Sequence, residues 1–243
     1  VGELPSTERP GDIYRLDLAK EQQEIVKSLS KTGIKIVLVL VEGRPKIISE
    51  IEPFSDAVIQ CYLPGDKGGV ALADIIFGKI NPSGKLPYTY PRYSGVIMHY
   101  DHKQSEVINA NTWKNDFFNP QYNFGHGLSY TKFEYSNMNI SKSAYSLSEK
   151  EITVTVDVKN TGKISGKEVV QLYSRDHVAT ISPPLRELVR YNKISLEPGE
   201  TKTVSFIVDI EELGFYNIDN VWVNEPGKHS FYIKNLESTF SLK

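Results

Sequence analysis

Apolar positions in the first part of the chain follow two rhythms. Leu18, Ile25, Val26 and Leu29 recur at helical spacing behind Asp17, a candidate N-cap, and Gly33 supplies a stop. The next run, Lys35-Ile36-Val37-Leu38-Val39-Leu40-Val41, is apolar at successive positions, as in a parallel strand covered on both faces. Residues 57–63 repeat that run and close on Pro64-Gly65. From Gly69 to Phe77 the spacing predicts a short helix with Val70, Ala73, Ile76 and Phe77 inward and Gly78 at its end. Asn81-Pro82-Ser83-Gly84 reads as a turn before an extended piece, 85–90. Strand and helix alternating in this way predict an α/β layer fold.

Residues 92–128 keep no period and are dominated by Tyr, Asn, Asp and His, which predicts a connection or a functional loop. Beyond Tyr130 the period becomes two. Ile152, Val154, Val156 and Val158 alternate with polar neighbours, and Val204, Phe206 and Val208 repeat the pattern after Glu197-Pro198-Gly199-Glu200. Further strands are expected at 133–140, 169–174, 189–196, 220–223 and 229–233. The expected fold class is therefore α/β plus all-β. A partial α/β sandwich (parallel sheet with flanking helices) over 1–97 leads through a connecting region, 98–128, into a fibronectin type III-like β-sandwich over 129–243.

Composition narrows the function classes. The 243 residues are 40% hydrophobic and 24% charged, ordinary for a globular protein. A net charge of −2 leaves no basic excess for a phosphate backbone, so no nucleic-acid partner is expected. The longest apolar run, 36–41, is far short of the roughly 20 residues of a membrane-spanning helix. The opening Val1-Gly2-Glu3-Leu4-Pro5 has neither the basic flank nor the apolar core of a signal peptide. Cys61, the single cysteine, has no internal partner for a disulfide.

Several chemical motifs fall away on inspection. Residues 78–85 have the wrong glycine spacing for a phosphate loop, and Gly125-His126-Gly127 lacks the third glycine of a dinucleotide fingerprint. His99 and His102, with Asp101 between them, have no obvious third ligand, so no metal or other cofactor is expected. Asn139-Ile140-Ser141 matches a glycan acceptor, a pattern common by chance. Trp113, Phe117, Phe118 and Tyr122 either stack on a sugar or pin their loop to the domain beneath. The opening segment crowds Glu3, Glu8 and Asp12 between prolines and Gly11, in a place where open α/β folds put ligand sites. A glutamate there serves as a general acid if its surroundings raise its pKa.

Read in order, the segments resemble the carboxy-terminal part of a family 3 glycoside hydrolase, the β-glucosidase group. The resemblance is carried by residues 1–12, by Gly43-Arg44-Pro45, by Leu63-Pro64-Gly65 with Gly68-Gly69, and by Asn81-Pro82-Ser83-Gly84-Lys85-Leu86-Pro87. It continues through Phe124-Gly125-His126-Gly127-Leu128-Ser129-Tyr130-Thr131, Val170-Gln171-Leu172-Tyr173, Leu185-Arg186 and 196–201. It implies a retaining, exo-acting hydrolase of terminal β-linked sugars, with a glucoside or β-linked oligosaccharide as substrate and a periplasmic or extracellular address. Glu3 matches the acid/base by its place in the loop, with Glu8 the second candidate and Asp12 ordering the loop. The nucleophilic aspartate would lie on an amino-terminal (β/α)8 barrel of around 250 residues that this chain does not contain. The chain is then a fragment, inactive alone. The competing expectation is a non-catalytic module that binds carbohydrate or protein through its fibronectin-like domain.

Overall fold

The computed structural model describes residues 1–4, 12–96, 98–107 and 118–243. The chain divides into two compact units. The first comprises Val1–Ile80, Leu86–Met98 and Asn119–Phe124; the second comprises Asn81–Lys85, His99–Phe118 and Gly125–Lys243.

In the first unit, helix α1 (Lys20–Ser30) begins behind Ala19, whose carbonyl takes the amides of Gln22 and Gln23. Asp17 is not its N-cap. Its carboxylate binds the Arg15 side chain and its backbone pairs with Ile47, so it is spent before the helix starts. Of the predicted helical stripe only Leu18 and Val26 are buried, whereas Ile25 and Leu29 face outward. Strands β1 (Val37–Val41) and β2 (Ala57–Tyr62) pair in parallel, and the register slips between Leu40 and Val41 so that Val41 faces Tyr62. This bulge ends the regular ladder. Leu38 and Leu40 are buried while Val37 and Val41 are exposed, so β1 alternates and is not covered on both faces within this unit.

Helix α2 (Gly68–Ile76) forms where the spacing predicts it, but of its expected inward face Val70, Ile76 and Phe77 are exposed, Phe77 at its end by 80%, and Ala73 is half-buried. A two-stranded sheet has too little surface to cover it. The unit's core is Leu18, Val26, Leu38, Leu40, Ile48, Ile51 and Tyr90.

The described residues of the second unit include a helical turn, α3 (Gln104–Val107), a 3₁₀ turn over Ile210–Leu213 and a β-sandwich. Its strands are β3 (Phe133–Ile140), β4 (Ala144–Tyr145), β5 (Glu151–Asn160), β6 (Gly166–Asp176), β7 (Glu187–Leu196), β8 (Thr201–Asp209), β9 (Phe215–Tyr216), β10 (Trp222–Val223), β11 (Gly227–Ile233) and β12 (Leu236–Leu242). The sheets run β4-β12-β11-β6-β7 and β3-β5-β8, with β9 and β10 as a separate pair. Ile152, Val154, Val156 and Val158 project into the core beside Val204, Phe206 and Val208, as their alternation predicts. Strands β4, β9 and β12 were not anticipated, although Phe240 and Leu242 of β12 are buried at period-two spacing. Phe231 is fully buried and stacks on Phe240 at 4.9 Å. Phe231→Ala should cost about 3–5 kcal/mol in urea unfolding; a loss under about 1 kcal/mol would place that ring outside the core.

The Asn81–Lys85 segment belongs to this second unit for identifiable reasons. The Asn81 side chain accepts hydrogen bonds from Ser129 Oγ and the Tyr130 amide and donates to the Ser165 carbonyl. Lys85 donates to the Gly127 carbonyl at 2.7 Å and pairs with buried Glu168 at 3.1 Å. A Cβ on Gly127 would sit 2.2 Å from the Gly84 carbonyl oxygen, so only glycine permits this approach. Among the described residues no helix is long and apolar enough to cross a membrane.

Candidate active-site anchor

The acidic opening segment is held against the end of β1. Gly2 pairs in parallel with Val41, the Glu3 amide donates to the Val41 carbonyl at 3.1 Å, and the Val41 amide returns a bond to Val1. From the other side, the Gln22 amide group of α1 brackets Gly2, accepting from its N–H at 2.8 Å and donating to its carbonyl at 3.0 Å. A Cβ on Gly2 would lie 1.9 Å from the Val41 carbonyl oxygen, which explains glycine at this close crossing.

This crossing delivers Glu3 to the turn that follows β1. Its Oε1 accepts from the Arg44 amide at 3.0 Å and from Arg44 Nε at 3.1 Å. Its Oε2 accepts from Arg44 Nη2 at 2.7 Å, with Lys46 Nζ 3.4 Å away. The Glu3 side chain is only 11% exposed. Burial pushes its pKa upward, but the Arg44 hydrogen bonds and the Lys46 and Arg44 charges outweigh that and hold it at about 2. Glu3 is an anion at neutral pH.

Beneath the clamp lies a second carboxyl, Glu42, with no exposed surface. Its Oε1 lies 2.8 Å from the Tyr90 hydroxyl and accepts from the Lys46 amide and Gln60 Nε2, both at 3.3 Å. Burial raises its pKa, against the lowering effect of those hydrogen bonds. Tyr62, Tyr88, Tyr90 and Tyr122 follow one another at ring separations of 6.0–6.4 Å. The Tyr88 hydroxyl accepts from Gln60 Nε2, and burial pushes its pKa up to about 12.

Of the candidate residues, Glu8 lies outside the described residues, as do Trp113 and Phe117. Asp12 is exposed. His102 Nδ1 donates to the His99 carbonyl and its ring stacks on Phe118 at 3.7 Å. Tyr122 packs on Tyr90 and donates to Glu52. Both contacts fit rings that pin their own segment. Among the described residues no three His, Cys, Asp or Glu side chains gather as a metal site requires. The sequence reading did not single out Glu42, Lys46 or Tyr90. The available signal was charge: an acid and a base flank Gly43-Arg44-Pro45 directly after an apolar strand.

Comparison with known proteins gives this pair of domains a family. Residues 1–130 match the glycosyl hydrolase family 3 C-terminal domain and residues 168–236 the fibronectin type III-like domain. A periplasmic beta-glucosidase of Salmonella typhimurium is 38% identical over 227 residues, which is 90% of this chain and 30% of that protein. A beta-xylosidase of Formosa agariphila is 38% identical over 235 residues, 96% of this chain and 32% of that protein. The crystal structure of a beta-glucosidase from Listeria innocua in complex with glucose superposes with a TM-score of 0.88 at 31% identity, covering 96% of this chain and 34% of that one. The chain belongs to glycoside hydrolase family 3, as the carboxy-terminal part of β-glucosidase-like enzymes. It spans about a third of the length of these relatives.

Proposed function

We propose that this chain is the carboxy-terminal fragment of a retaining, exo-acting β-glycosidase that removes terminal β-linked sugars, and that the loop opening at Glu3 supplies its general acid/base. The observation that carries the reading is the likeness to a periplasmic β-glucosidase along nine-tenths of the chain, with the opening segment inside the match to the family's C-terminal domain. Retaining hydrolysis uses two carboxyl groups about 5–5.5 Å apart, a nucleophile and a proton donor. The nucleophile belongs to a preceding (β/α)8 barrel. The lengths of the relatives support such a missing portion, as does a parallel sheet of two strands among the described residues of the first unit.

Within the loop we assign the proton donor to Glu8. A donor must hold its proton near the working pH, and a carboxyl kept at about 2 by Arg44 and Lys46 does not. Glu3 instead ties the loop to the sheet. The sugar is a β-glucoside on the weight of the glucosidase relatives, although one relative is a xylosidase. A periplasmic relative supports an address outside the cytoplasm.

The test is hydrolysis of an aryl β-glucoside by the full-length protein and by this chain alone, with NMR reading the anomer first released. Turnover with retained configuration is expected from the full-length protein only. Inversion would refute the retaining mechanism, and turnover by this chain alone would refute the shared site.

A further inference from the structure

The clamp on Glu3 depends on a carboxyl that the proposed chemistry does not use. Glu42 directly follows β1, and the residues after it, Gly43 to Lys46, carry both cations of the clamp. The Tyr90 hydroxyl lies 2.8 Å from Glu42 Oε1 and 2.7 Å from the Lys46 carbonyl oxygen. That hydroxyl has one proton and faces two acceptors. The carbonyl has no proton to give, so the tyrosine proton goes to Lys46. The close oxygen pair between Tyr90 and Glu42 then needs a proton from Glu42. Glu42 Oε2, buried, has no hydrogen-bond partner among the described residues. Such an atom is tolerable as the carbonyl oxygen of a neutral acid and costly as half of a carboxylate.

We propose that Glu42 is a protonated positioning residue, whose neutral carboxyl closes the 42–46 turn through Tyr90 and so commits Arg44 and Lys46 to Glu3. A charged Glu42 would compete with Glu3 for the same two cations. The ionisable groups around it are Glu3 on the opening segment, Arg44 and Lys46 on its own turn, Tyr62 at the end of β2, and Tyr88 and Tyr90 beyond α2. Burial acts on Glu42 in the same direction, raising its pKa. A carboxyl whose pKa is raised on folding costs stability as pH climbs from the ordinary carboxylate range through the raised value.

The kinetic part of this proposal rests on the hydrolase reading; the proton on Glu42 does not. Infrared difference spectra of the full-length protein, wild type minus Glu42→Gln at pH 7, should show the carbonyl stretch of a protonated carboxylic acid. Its absence would overturn the proposal whatever the enzyme hydrolyses. Glu42→Gln should also gain stability relative to wild type as pH rises from 5 to 9; a constant gap would count against a proton on Glu42. In kinetics, Glu42→Gln should keep kcat within about threefold while Glu42→Ala loses at least about tenfold in kcat with little change in KM. A Gln variant as impaired as the Ala variant would mean that the negative charge matters, and the proposal would fall.

Discussion

If Glu8 is the proton donor of a β-glucosidase, as proposed, Glu8→Gln in the full-length protein should lower kcat/KM by about 10²–10⁴ for a β-glucoside with an alkyl leaving group, the range that general acid catalysis supplies. An activated nitrophenyl leaving group departs with little protonation, so the same variant should lose much less on it. On the activated substrate, added azide should restore turnover and yield a glycosyl azide of retained configuration, because a small anion can attack the intermediate without a base. Glu3→Gln should behave otherwise. It removes a buried anion from between Arg44 and Lys46, so both leaving groups suffer alike and azide rescues neither. Should the leaving-group dependence and the rescue appear with Glu3→Gln instead, Glu3 is the proton donor and its clamp must open during turnover.

Arg44→Ala carries the second large effect, on stability. The arginine is 31% exposed and supplies two side-chain donors, Nε and Nη2, to a Glu3 side chain that is 11% exposed. Removing it leaves a largely covered carboxylate with, among the described residues, the residue 44 amide and Lys46, a loss of about 1–3 kcal/mol. Arg44→Lys should recover little of this, since an ammonium does not reproduce the two-pronged contact. The pH dependence follows from Glu3. Its pKa falls from 4.5 to about 2 on folding, so its ionised form contributes stability that is complete above the unfolded value. That contribution drains away as pH falls from about 5 to 2. Urea unfolding at pH 7, 4 and 2.5 should show wild type losing more stability on acidification than Arg44→Ala. Parallel curves would mean that Arg44 does not hold the carboxylate down.

How far the sequence reaches depends on whether a pattern is local. The sandwich core is local: Ile152, Val154, Val156 and Val158 alternate because one face of β5 is buried and the other wet, and that alternation can be read without knowing the partner strands. α2 is the opposite case. Its spacing announces a helix, yet Val70 and Phe77 are exposed, because periodicity marks an apolar face and does not say what covers it. β12 escaped because serine and threonine dilute its alternation, although Phe240 and Leu242 keep the register. The clamp was beyond local reading altogether. Glu3 and Arg44 meet only because the opening segment adds to β1 and the chain turns immediately after that strand. A carboxylate in a proline-rich loop looks the same on paper whether it is bare or held by a guanidinium. The two roles, proton donor and anion, part only when the neighbours are known.

The bracket around Gly2 has one more consequence. Between Glu3, fastened to β1 and α1, and Asp12, the sequence runs through residues 4–11, and Glu8 sits in the middle of that run. The root is secured by backbone pairing and by Gln22, both of which act before the segment begins. Lengthening a loop carries only a slowly growing entropic cost, about 0.6 kcal/mol per doubling. The length of the segment after Glu3 and the foundation of the domain are thus separate design variables. An engineer, or a lineage, could exchange the segment after Glu3 to suit a different sugar or leaving group while leaving the mounting untouched.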